Sequence, residues 1–128
     1  MSKNQEIIIF ITAIKTNFPE VGKIIDKRME DLGMGAENYI HADMLECFSD
    51  ATTNAIKEKD ADTASRYLNY ISKKLVYASA VEREFIEAYY TEPLMCGIKD
   101  RKLKSWGWKL FPKNIKELYE NFWGKQDL

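Results

Sequence analysis

Three observations predict an all-α fold for this chain. Apolar residues recur at three- and four-residue spacings in six stretches. No segment alternates apolar and polar residues long enough to argue for a sheet. Capping residues and prolines stand where helices would begin, and glycines where they would end. The expected architecture is about six helices, arranged as antiparallel hairpins in a compact bundle or a short α-solenoid. At 128 residues, 45% of them apolar and 30% charged, residues 1–128 suit one soluble globular domain with one core.

The first helix is expected over about Asn4–Thr16, with Ile7, Ile8, Ile11 and Ile14 on its buried stripe and Phe10 at the edge. Asn17-Phe18-Pro19 ends it, because a residue before proline avoids helical dihedrals. Pro19 suits the first turn of a second helix, with Val21, Ile24, Ile25, Met29 and Leu32 inward and Gly33-Met34-Gly35 closing it. A third helix covers about Glu37–Lys57, with Ile40, Met44, Leu45, Phe48, Thr52, Ala55 and Ile56 apolar-facing and acids on the other side.

Asp60–Tyr90 reads as the hairpin around which the chain is organised. Asp60 caps its first helix, which buries Ala64, Tyr67, Leu68, Ile71 and Leu75. Ser79 and Glu82 form a capping box for the second, which buries Val81, Phe85, Ile86 and Tyr89. Residues 94–111 lack clean periodicity and read as an ordered loop containing a short helical turn. Pro112 opens the last helix, with Ile115, Leu118, Tyr119 and Phe122 inward and Gly124 as its C-cap.

The net charge of −1 conceals an uneven distribution. Residues 34–58 carry one lysine against five acids, net −4, whereas residues 93–128 carry eight Lys/Arg against four acids, net +4. Two distant cysteines supply neither a disulfide framework nor zinc-ligand spacings, so reduced thiols in a cytoplasmic protein are expected. The apolar run Ile7–Ile11 is fenced by Glu6 and Lys15 and is too short to span a bilayer.

No constellation of catalytic residues emerges, and no enzyme, cofactor or metal site is expected. His41 is the only histidine, and helical geometry turns it away from Asp43, two residues on. One histidine cannot supply a pair of Glu-x-x-His motifs for a di-iron site. Glu82, Glu84, Glu87 and Glu92 run along one segment rather than facing one another across a cleft. The segment 99–109 interleaves Lys99, Arg101, Lys102, Lys104 and Lys109 with Trp106 and Trp108, a pattern able to grip phosphates and stack bases. A pI near 5.9 and the lack of a nucleic-acid motif argue against that use.

Asn17-Phe18-Pro19-Glu20, Ser79-Ala80-Val81 leading to Phe85-Ile86-Glu87, and the ending Tyr119-Glu120-Asn121-Phe122-Trp123-Gly124 carry a resemblance. On these, the chain resembles the small all-helical bacterial immunity proteins that accompany polymorphic or contact-dependent toxins. The resemblance spans most of residues 18–124, rests on apolar patterning, and transfers no catalytic residue. It implies a protein-binding, non-enzymatic toxin inhibitor that blocks a cognate toxin by direct contact. Nuclease toxins are commonly basic, so the acidic third helix would be the binding face, with Glu37, Tyr39, His41, Asp43, Glu46 and Asp50 as contact residues. A helical adaptor, or a homodimer formed through the Trp-containing end, is the alternative; nucleic-acid binding through residues 99–109 is a second.

The predicted core comprises Ile11, Ile25, Leu45, Phe48, Leu68, Ile71, Phe85, Ile86, Leu118 and Phe122. Truncating Leu68 or Phe85 to Ala is expected to cost about 2–5 kcal/mol in denaturant unfolding. A loss below about 0.5 kcal/mol at both would show that the buried face is misassigned.

Overall fold

The computed structural model describes residues 2–33 and 40–128. Seven α-helices are found among them: α1 (Lys3–Asn17), α2 (Pro19–Asp31), α3 (Ile40–Lys57), α4 (Ala61–Val76), α5 (Ala80–Ile86), α6 (Arg101–Trp108) and α7 (Lys113–Trp123). A π-helical turn, Glu87–Thr91, continues α5. No strand occurs among the described residues. Glu37, Tyr39, the expected first turn of the third helix and the Met34-Gly35 part of the preceding loop lie outside the described residues.

Local sequence sets most helix ends. The Ser79 hydroxyl accepts from the Glu82 amide at 3.1 Å, and the Glu82 carboxylate accepts from the Ser79 amide at 3.0 Å. Asp60 accepts from the Thr63 amide at 3.1 Å, and Pro19 occupies the first turn of α2. Phe18 alone links α1 to α2, its amide bonded to the Ile14 carbonyl at 2.9 Å. Its buried ring meets those of Phe48, Tyr67 and Tyr70 at centroid distances of 5.0–5.5 Å.

The centre of the molecule is α3 rather than the 60–90 hairpin. It packs against α1, α2, α4, α6 and the π turn, while α1 also reaches α5 and α7 reaches α4. A solenoid would restrict each hairpin to its sequence neighbours, so the architecture is a bundle closed around α3. Nine residues of α3 are buried, from Ile40 to Ile56, including Ser49, Thr52 and Thr53.

Four expected burials fail. Ile8 is 42% exposed, Ile24 50%, Leu32 48% and Phe122 52%, while Phe10, expected at an edge, is buried. Periodicity gives the direction of a side chain, but burial needs a neighbour long enough to cover it. The groove beside Ile24 and Leu32 is lined on α3 by Cys47 and Ala51, whose side chains are too short to cover them. Phe122 lies in the last turn of α7, its ring edge-to-face on Trp123 at 4.8 Å.

The largest departure is α6, which occupies part of the segment read as a loop. Asp100 caps it by accepting from the Lys102 amide at 2.9 Å. Gly107 hides the helix from propensity arguments, yet packing demands it. A Cβ at this position would stand 2.7 Å from Ile56 Cγ2, and Ile56 is itself fully buried and β-branched. Helix propensity alone favours Gly107→Ala by about 1 kcal/mol. The clash with α3 predicts the opposite sign, a loss of about 1–3 kcal/mol in denaturant unfolding, and a stabilised variant would disprove the contact.

Candidate functional site: the acidic face of α3

The far side of α3 from the core carries Asp43, Glu46 and Asp50. Spacings of three and four residues place them in one row along the helix. Arg28 of α2 approaches Asp43 at 4.0 Å, at the limit of an ion pair. Burial pushes the Glu46 carboxyl above its ordinary value of 4.5, and repulsion from Asp43 and Asp50 adds to it; Arg28 opposes the shift and Glu92 reinforces it. Asp50 is also raised, by burial above all, against attraction from Arg28 and Lys57. The fold thus holds Glu46 and Asp50 where their charged forms are disfavoured.

His41 does not belong to this row. It lines a separate groove of about 410 Å³ between α1 and α5, with Lys3, Ile7, Glu84, Phe85 and Tyr89. Two residues along a helix rotate a side chain by about 200°, which separates His41 from Asp43. Of the six candidate contacts, Asp43, Glu46 and Asp50 come together, His41 stands apart, and Glu37 and Tyr39 lie outside the described residues.

Cys47 is buried beneath the acidic row, and burial pushes its thiol up to about 11, with the neighbouring acids opposing ionisation. It is protonated at neutral pH and makes no nucleophile. Among the described residues, no three His, Cys, Asp or Glu side chains converge as a metal site. No described helix is long and apolar enough to cross a membrane.

The basic segment resolves into α6 and the turns beside it. Trp108 is buried against Phe111 and Tyr119, at centroid distances of 5.1 and 5.4 Å, with the Lys116 ammonium 5.3 Å from its centroid. That ring is a core element and offers no face for base stacking. Arg101 is held by the Asp127 carbonyl. Lys102 and Lys109 line a shallow surface with half-buried Trp106, beside Arg101 and Asp100.

Sequence reasoning missed Arg28 and the half-exposed pair Ile24 and Leu32, which flank the acidic row across the α2–α3 groove. Ile24 stands off the line of Val21, Ile25 and Met29, a signal the sequence carried, whereas Leu32 shares that line and gave none.

An all-helical bundle with an acidic row on α3 defines a small α-domain. The chain belongs to the family described as Domain of unknown function (DUF7674), whose model matches residues 11–124. No curated protein and no solved structure matches it. The residues on which the resemblance to immunity proteins rests have structural roles here. Phe18 and Phe85 are buried, Ser79 caps α5, and Glu20 accepts from the Tyr67 hydroxyl at 2.9 Å.

A raised carboxyl pKa means that the folded state holds its proton more tightly than the unfolded one. The resulting penalty is absent below the unfolded value and grows as pH rises through the folded one. Glu46→Gln is therefore expected to raise the melting temperature relative to wild type at pH 7, with the gain vanishing near about pH 3.5. A lower melting temperature than wild type at pH 7 would mean that Arg28 outweighs burial.

Proposed function

We propose that this protein is a non-enzymatic, immunity-type inhibitor that binds a cationic protein toxin in the bacterial cytoplasm through the acidic row of α3. The supporting observation is the row itself: Asp43, Glu46 and Asp50 share one face, and two of them are held there with raised pKa values. Exposed charges contribute little to folding, and partly buried like charges oppose it. Their value lies in association, where a negative face steers a positive partner and excludes wrong ones. The resemblance to immunity proteins supplies the partner class.

A homodimer or adaptor docking through the C-terminal end is the second reading. Its support is the pair Phe122 and Trp123, 52% and 55% exposed and packed edge-to-face.

The test is association with the purified toxin domain encoded beside its gene, followed by stopped flow at low and high salt. Glu46→Lys/Asp50→Lys is expected to slow association about tenfold at low salt and to flatten the salt dependence. Folding stability should change by less than about 0.5 kcal/mol. Equal association rates for wild type and the double variant would overturn the reading, as would the lack of any toxin gene beside it.

A further inference from the structure

The fold employs two of the chain's three tryptophans and leaves the third partly free. Trp108 is packed into the core against Phe111 and Tyr119, and Trp123 donates its indole N–H to the Glu92 carbonyl at 2.9 Å. Trp106 rests half-buried on the core, with no aromatic neighbour and no hydrogen bond to its indole N–H among the described residues. Lys102, four residues before it, and Lys109, three residues after it, share its stripe of α6, and both are exposed. Among the described residues lining this surface the one acid is Asp100, whose carboxylate is engaged by the Lys102 amide at 2.9 Å. Arg101 is engaged by Asp127, whereas Lys102 and Lys109 make no ion pair among the described residues.

Residues 99–109 carry five Lys/Arg against one acid, so the partner that fits is anionic. The acidic row does not cancel that field. α6 meets α3 at Ile56, on the buried side of α3, and the row stands on the opposite side. Salt screens charges beyond about 8 Å at physiological ionic strength. Anionic partners differ in what else they need. A membrane needs a free apolar face, but Leu103 and Trp108 of α6 are spent on the core. An acidic peptide satisfies the lysines and leaves the indole unused. A duplex keeps its base faces stacked inside. A single strand supplies phosphates for the lysines and an open base for the ring.

We propose that the outer stripe of α6 binds single-stranded nucleic acid without sequence preference, one base stacking on Trp106 and the flanking phosphates lying on Lys102 and Lys109. The two lysines stand about 10 Å apart along the helix, on either side of the ring. This surface is separate from the acidic row and independent of the toxin-binding reading.

The probe is an oligothymidylate of ten nucleotides, titrated into the full chain at low salt and followed by amide chemical shifts and fluorescence anisotropy. Binding is expected with a Kd of about 10⁻⁴ M and shifts centred on Lys102, Trp106 and Lys109. Lys102→Ala/Lys109→Ala, at exposed positions, is expected to weaken binding about tenfold and to reduce the slope of log K against log salt by about 1.4, two phosphates at about 0.7 each. Trp106→Leu is expected to weaken binding about tenfold with that slope unchanged. The lysine pair keeps the test valid if the half-buried tryptophan is needed for folding. Inorganic polyphosphate of matched charge, which has no bases, is expected to bind about tenfold more weakly than the oligonucleotide. Equal binding of polyphosphate would overturn the stacking and leave only an anion-attracting surface. Shifts confined to another face, or unchanged affinity in the lysine pair, would overturn the site. Binding to phosphatidylglycerol vesicles but not to the oligonucleotide would replace the nucleic acid with a membrane.

Discussion

Three hydroxyls on the buried side of α3 hold the second half of the chain in place. Ser49 donates to the Tyr90 carbonyl at 2.6 Å. Thr52 spends its proton on the Phe48 carbonyl at 3.0 Å, so the fully buried Tyr90 hydroxyl, 2.9 Å away, donates to it. Thr53 accepts from the Met95 amide at 2.9 Å, where Met95 has a left-handed φ of +62°. Each bond contributes about 1 kcal/mol net, but a donor or acceptor stranded in this interior would cost about 1–3 kcal/mol. Burial drives the Tyr90 phenol pKa upward, so that hydroxyl keeps its proton and its role as donor.

The later elements follow from that attachment. The π turn widens the helix by one residue per bond, with the Glu92 amide reaching the Glu87 carbonyl at 3.0 Å, and the freed Tyr90 carbonyl finds Ser49. Beyond it, the Glu92 carbonyl accepts from the Trp123 indole at 2.9 Å and fixes the end of α7. Asn114 at the start of α7 bonds both the Ser72 hydroxyl and the Ser72 carbonyl of α4. Met95, held by Thr53, and Ile56 together form the surface on which Gly107 lets α6 lie close. One helix therefore carries two incompatible tasks on opposite sides. Its inner side is a precise polar and apolar fit, and its outer side carries acids of which two, Glu46 and Asp50, are held at some cost.

The chain alone determined the helical class, most helix ends and most of the core. Those depend on neighbours in sequence: caps such as Ser79 with Glu82, proline at Pro19, and three- and four-residue apolar spacing from Val21 to Leu118. The acidity of residues 34–58 was equally legible, because composition needs no fold. Only tertiary structure decided that α3 rather than the 60–90 hairpin is the hub, that residues 101–108 form a helix, and that Trp108 is core. It also placed His41 in a groove beside α1 and α5 and left Ile24, Leu32 and Phe122 uncovered. The physical reason is common to all of these. Direction around a helix is local and periodic, whereas burial and charge environment depend on which side chain arrives from far along the chain and how long it is.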